Sequence, residues 1–180
     1  MINLAAVGSA SGAGEYYSHD NYYTTSELTE ASEWFGRGAE ALGLQGAVEE
    51  QAFVNVLSGK LPDGSEIPAV HGEHRPGVDM TFSAPKSVSL LALIGKDDRI
   101  IGAFRDSVTA TLGWTEKNLI EARVWDPAAK MQMVEKTGNI VAATFLHDVN
   151  RNNEPQLHVH AVIANATKAS DGKWHAVHND

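Results

Sequence analysis

The chain has 180 residues, is 43% hydrophobic and contains no cysteine, and its 14 Lys and Arg against 23 Asp and Glu give a formal net charge of −9. That length can bury a core as one domain, the lack of cysteine excludes disulfides, thiolate metal sites and thiol nucleophiles, and the acidic balance argues against a broadly basic nucleic-acid surface. No segment approaches the roughly 18 consecutive apolar residues of a membrane span and no export signal opens the chain, so no membrane insertion and a cytoplasmic location are expected. The charge is uneven: residues 1–50 carry eight carboxylates and a single basic residue, Arg37, which leaves room for a local anion site elsewhere.

Taken in chain order, residues 1–7 suit a short strand, and the small, Gly-rich run 8–14 leads into the tyrosines. All four tyrosines lie within eight residues, as Tyr16-Tyr17 and Tyr22-Tyr23. Core packing would spread them out, so the cluster points to phenol chemistry. If the region is helical, positions 16 and 23 share a face two turns apart; if a loop intervenes, both pairs can still reach one site. Residues 47–57 read as an amphipathic helix ended by a Ser-Gly and Pro-Asp-Gly turn, and 65–76 as a loop holding His71, His74 and Arg75. Residues 78–82 alternate as a strand, with Asp79 and Thr81 on one side and Met80 and Phe82 on the other. A helix then starts at 83–86, with Pro85 near its first turn and a buried body over 87–94; its N-terminus, with Ser83, Lys86 and Ser87, suits a phosphate contact. From 96 to about 122 the apolar spacing is helical, with Gly113 as a point of bending or interruption. Strands are expected over 139–147 and 156–165, joined by the polar connection 148–155 as an antiparallel pair. A turn at 168–173 and a short strand over 174–178 follow.

The chemistry concentrates in the last two long strands. His158 and His160 project from one face of their strand, with Leu157, Val159 and Ala161 on the other, and an adjacent antiparallel strand can bring in His147. Three neutral imidazoles can hold a divalent ion and leave positions open for substrate oxygens. Such a set accepts Zn²⁺, Mn²⁺, Ni²⁺ or Co²⁺, whereas Mg²⁺ ordinarily prefers oxygen ligands. Asp79 can receive a hydrogen bond from a ligand imidazole, or help accept a phenolic proton. His19, His71, His74, His175 and His178 are read as solvated or locally hydrogen-bonded. Arg75, Lys86, Arg151 and Lys168 are candidate phosphate contacts, and Asn152 and Asn153 candidate contacts to bases or sugars.

The tyrosine pairs, the run Asp79-Met80-Thr81-Phe82-Ser83-Ala84-Pro85-Lys86-Ser87-Val88-Ser89 and the run Pro155-Gln156-Leu157-His158-Val159-His160-Ala161-Val162 closely resemble the TrwC/TraI class of conjugative relaxases, metal-dependent single-strand endonucleases of the HUH superfamily. The resemblance covers essentially the whole chain, including Trp34-x-Gly36-x-Gly38-Ala39-Glu40-x-Leu42-Gly43-Leu44. It implies an α/β (α+β) fold in which a central antiparallel sheet carries the histidine motif and is flanked by helices. It further implies a divalent ion, Mg²⁺ or Mn²⁺ foremost, on His147, His158 and His160, with Asp79 as the supporting carboxylate. Tyr16 or Tyr17 would attack the scissile phosphate at the transfer-origin nick, giving a 5′-phosphotyrosine link and a free 3′-hydroxyl, and Tyr22 or Tyr23 would serve a second transfer. Domains of this class are longer than 180 residues, so residues 1–180 are expected to form the N-terminal portion of one relaxase domain, without its DNA clamp or the helicase of a full-length parent. Single-stranded transfer-origin DNA and relaxosome accessory proteins are the implied partners. A rolling-circle replication initiator and a DNA-binding module without cleavage are the competing readings.

Overall fold

The computed structural model describes residues 1–17, 32–69 and 74–178, apart from the side chain of Tyr16. At its centre lies a hairpin of two long strands, β6 (Ala142–Val149) and β7 (Pro155–Ala164). Their turn is held by Asn150, whose Oδ1 accepts the backbone N–H of Asn152 at 2.9 Å and of Glu154 at 3.0 Å. On its other side β7 pairs with β3 (Gly77–Ser83), which pairs with β1 (Ile2–Ala6), while β6 pairs with β2 (Ser32–Phe35). The result is a five-stranded sheet in the order β1-β3-β7-β6-β2, antiparallel throughout.

The period of two sorts each strand's side chains between two helical layers. On one face Val141, Ala143, Phe145, Val162 and Ala164 join a core with Ala13, Phe53, Val56 and Leu57. The helices there are α1 (Ala10–Tyr17) and α3 (Glu50–Leu57), with Ala39 and Leu42 arriving from the short α2 (Arg37–Ala41) and its cap. On the other face Phe82, Ala142, Leu146, Leu157, Val159, Ala161 and Ile163 pack with residues of α4 (Lys86–Leu93) and α5 (Asp98–Leu119). Two glycines permit close approaches. A Cβ on Gly14 would run into the Val54 side chain, so glycine brings α1 tightly onto α3; one on Gly36, whose φ is 105°, would strike the Ile140 carbonyl.

Several elements depart from the sequence reading. The long helix ends at Leu119 rather than near 122, is not interrupted at Gly113, and is followed at once by a two-stranded ribbon, β4 (Glu121–Asp126) with β5 (Met131–Lys136). β5 has no face against a core, so no hydrophobic alternation marked it. The strand β2 and the helix α2 are likewise additions, each of five residues or fewer and too short for periodicity to register. The helix expected over 47–57 begins at Glu50, the strand expected over 139–147 runs through Val149, and the expected final strand is only β9 (Trp174–His175), paired with β8 (Thr167–Lys168). Among the described residues no helix is long and apolar enough to cross a membrane.

Candidate active site and metal centre

The register of the central strands assembles the histidines. His147 on β6 stands directly opposite His158 on β7, and His160, two residues further along the same face, stands opposite Phe145 on β6 and Thr81 on β3. The three imidazoles each offer a nitrogen within 4.8 Å of the others, and every pair of ring centroids is 5.2 Å apart. The remaining ring nitrogens explain this convergence. His158 donates Nδ1–H to the Gln156 carbonyl at 2.9 Å, and His160 donates Nδ1–H to Asp79 Oδ2 at 2.7 Å. A carbonyl and a carboxylate can only accept, so in both rings Nδ1 carries the proton and Nε2 the lone pair, the tautomer a metal ligand needs.

Burial favours the neutral form of His147 and His158. His147 is pushed down to about 3, first by burial and then by the two neighbouring imidazoles. His158 is also lowered, again chiefly by burial. Neutral imidazoles with aligned lone pairs fit a divalent cation, and no proton has to be displaced from His147 or His158 at neutral pH.

Asp79 links this triad to the tyrosine helix. It is 8% exposed, and its Oδ2 accepts from His160, from the phenol of Tyr17 at 2.9 Å and from the Thr81 hydroxyl at 3.3 Å. Tyr17 reaches it from the last residue of α1. Its ring stacks on Phe145 at 5.1 Å, meets Phe53 edge-on at 6.2 Å and lies 5.2 Å from the His160 ring. Thus the aromatic packing that seats α1 also aims a phenol at the carboxylate behind a candidate ligand. An open cavity of about 460 Å³ faces the triad, lined also by Thr81, Ser83, Arg151, Asn153 and Gln156.

The remaining sequence candidates separate by position. Tyr16 precedes Tyr17 on α1 with its side chain outside the description, and Tyr22, Tyr23, His19 and His71 lie outside the described residues. Asn152 sits exposed in the turn beside Arg151 and Asn153, and Lys86 is tied to that turn through Glu154 at 3.1 Å. Arg75 and Lys168 are not brought to the cavity. Arg75 lines a separate apolar groove with Leu4, Met80 and Ile163, two residues before the end of β3 that pairs with Ala164, roughly 20 Å along the strand from His158. Lys168 stands 5.9 Å over the Trp174 ring, beyond the same far end. His175 is held by Asp171 at 3.1 Å, in keeping with a local hydrogen bond, whereas His74 is half-buried, with its pKa lowered by that burial and its Nε2 without a hydrogen-bond partner among the described residues, contrary to the solvated or locally bonded ring expected. Sequence reasoning gave no role to Phe145, Phe53 or the Thr81 hydroxyl. The signal for Phe145 was its spacing of two from His147, which places both on one face.

Comparison with known proteins agrees with this geometry. The "Multifunctional conjugation protein TraI" of Escherichia coli (strain K12) is 44% identical over 184 aligned residues spanning all of this chain, which covers 10% of that protein's length. The conjugative relaxase TrwC in complex with oriT DNA superimposes on the whole chain at 39% identity, with a TM-score of 0.88 for a metal-bound structure and 0.86 for a metal-free one; this chain spans 62% and 61% of those chains. The TrwC relaxase family model matches residues 10–180, and the chain, with its histidine triad on the central antiparallel sheet, belongs to that family.

Proposed function

We propose that this chain carries the chemical centre of a site- and strand-specific enzyme that nicks and rejoins single-stranded DNA at a plasmid transfer origin. One observation supports it above the others: a tyrosine phenol, a buried carboxylate and a ligand-competent histidine form one hydrogen-bonded line, Tyr17 to Asp79 to His160, at the edge of an imidazole triad. Structural histidines have no need of that sequence of groups.

A free phenol with a pKa near 10 is ionised to only about one part in a thousand at pH 7, so attack requires a proton acceptor and charge stabilisation. In this reading the phenolic oxygen of Tyr16 or Tyr17 forms a bond to phosphorus, the bond to the sugar 3′ oxygen breaks, and that oxygen departs as a hydroxyl. The product is a 5′-phosphotyrosine diester, which the released hydroxyl can reverse. For Tyr17 the proton acceptor is already in contact, Asp79 Oδ2 at 2.9 Å. Tyr22 or Tyr23 would serve the second transfer. When bound by His147, His158 and His160, a divalent ion, Mg²⁺ or Mn²⁺ in this reading and Zn²⁺, Ni²⁺ or Co²⁺ as alternative occupants, supplies Lewis-acid stabilisation of the phosphate oxygens. Arg151 and Asn153 at the cavity mouth would meet the strand. Relaxosome proteins and a helicase joined to a longer parent chain complete the proposed setting, in line with the length of the TraI relative.

The test is incubation with labelled single-stranded transfer-origin DNA and Mn²⁺, followed by denaturing electrophoresis and peptide mass spectrometry. A DNA adduct on Tyr16 or Tyr17, removed by the matching Tyr→Phe change, is the expected result. Two free DNA ends with no adduct, or cleavage unchanged in the Tyr16→Phe, Tyr17→Phe double variant, would overturn the proposal.

A further inference from the structure

Asp79 satisfies its surroundings with one oxygen. Three donors converge on Oδ2, while Oδ1 is buried with no hydrogen-bond partner among the described residues. The direction of that single oxygen therefore decides which way the His160 ring presents Nε2. Asp79 is also not the residue opposite His160: the strand register pairs Asp79 with Val162 and Thr81 with His160. The carboxylate has to lean along β3 to make a diagonal contact, which in a sheet spans about 7–8 Å between the residues.

Thr81 fills the direct position. Its Oγ1 is 3.3 Å from Asp79 Oδ2 and 3.3 Å from His160 Nδ1, so it touches both ends of the bond it flanks. His160 already donates Nδ1–H to the carboxylate, so the hydroxyl proton goes to Oδ2 and its lone pair faces the imidazole N–H. Each contact is long and weak alone. Their value is geometric, because a β-branched side chain in a strand has a restricted χ1 and holds its hydroxyl in place. The other non-ligand donor, Tyr17, belongs to a helix rather than to the sheet. If Tyr17 turns to a phosphate, or gives up its proton, it ceases to donate to Asp79.

We propose that Thr81 is a positioning residue for the metal centre: its hydroxyl, fixed across the strand from His160, keeps Asp79 Oδ2 on the His160 Nδ1–H whether or not Tyr17 is in contact. The inference rests on the relaxase reading for its purpose and on the β3 to β7 register for its geometry. It assigns the threonine of the Asp79-Met80-Thr81 run a task of its own, separate from nucleophile and ligands.

Calorimetric titration of the protein with Mn²⁺ tests it without reference to cleavage. Outer-sphere partners of metal ligands typically contribute about 10–100-fold in affinity, and a group one contact further removed is expected at the lower edge, so Thr81→Val should weaken Mn²⁺ binding by about 3–10-fold. Thr81→Ser, which restores the hydroxyl without the β-branch that fixes it, should recover part of that loss. In an Asp79→Ala background, which removes the oxygen that Thr81 and His160 share, Thr81→Val should have little further effect. Unchanged affinity in Thr81→Val, a Thr81→Ser variant as weak as Thr81→Val, or full additivity with Asp79→Ala would each overturn the assignment. Mn²⁺ binding that shows the predicted pattern in a protein that forms no DNA adduct would support Thr81 while counting against the relaxase reading.

Discussion

On one side of β7, Leu157, Val159, Ala161 and Ile163 are packed beneath α4 and α5; on the other, His158 and His160 open onto a polar cavity shared with His147. The histidine face is itself divided, because Val162 and Ala164 return to the core under α1 and α3 and only the His158–His160 end meets the polar cavity. The difference shows how the fold separates stability from chemistry. The aliphatic side fixes the strand's height and register, and each histidine inherits its position from neighbours that never touch the ion. The polar side holds groups that would be costly in a core, and His158, His160, Thr81 and the Oδ2 of Asp79 are hydrogen-bonded there.

The sharpest way to break this comparison is to remove a ligand. His158→Ala should lower Mn²⁺ affinity by more than the roughly 100-fold upper range seen for outer-sphere partners, while leaving the urea unfolding midpoint of the metal-free protein nearly unchanged. Calorimetric titration and equilibrium unfolding on the same sample check both halves. A midpoint that falls as far as the affinity would show that the histidine face is part of the stabilising core.

Leu157→Ala is the converse change, one residue away. Leu157 is 1% exposed, and truncating a buried leucine costs about 2–5 kcal/mol in stability. Its Mn²⁺ affinity in the folded state should stay close to that of the unsubstituted protein. A large loss of affinity instead would mean that packing on the aliphatic side tunes the ligands directly.

A smaller effect links the two faces through pH. An ordinary histidine titrates near 6.5, and burial holds His147 down at about 3, so between those values the unfolded chain binds a proton that the folded chain refuses. The stability contributed by neutral His147 is therefore fully present above pH 6.5 and lost progressively as pH falls toward 3. In metal-free protein, His147→Asn should flatten the pH dependence of the urea midpoint across that window. The carboxylates lowered by local hydrogen bonds, such as Asp63 and Asp171, lose their contribution only further into the acid range, through depressed pKa values of their own. An unchanged slope above pH 4.5 in His147→Asn would show that the imidazole is hydrated and titrates normally.

The sequence made these central elements legible for a physical reason. β3, β6 and β7 are long enough for alternation to register, and His-x-His within an alternating run has a single geometric meaning, two rings on one face. Asp79 was readable as a strand carboxylate on the same side as Thr81, and its place behind a ligand histidine came from the family resemblance rather than from any strand pairing. What could not be read was register: that His147 falls opposite His158, and Thr81 opposite His160, depends on how three strands slide into place. Phe145 shares a face with His147 by its spacing of two, but Phe53 comes to Tyr17 from a helix far away in the chain, and no local pattern announced that contact. The ribbon β4 to β5 escaped because its exposed Trp125, Met131 and Met133 do not sort into a buried and a solvated face.

The smallest expected effect concerns the basic residues, which the fold divides between the two ends of β7. Arg151 lines the cavity at the histidine end, whereas Arg75 and Lys168 lie at the far end. A residue that neutralises one phosphate of a single strand contributes about 0.7 to the slope of log affinity against log salt. For a short single-stranded oligonucleotide spanning the nick, Arg151→Ala should therefore reduce that slope by about 0.7, while Arg75→Ala and Lys168→Ala leave it unchanged. Fluorescence anisotropy across a salt series measures each slope. Equal reductions from Arg151→Ala and Arg75→Ala would place the strand along the whole length of β7, and the cavity would then be one stop on a longer path rather than the place where the DNA is held.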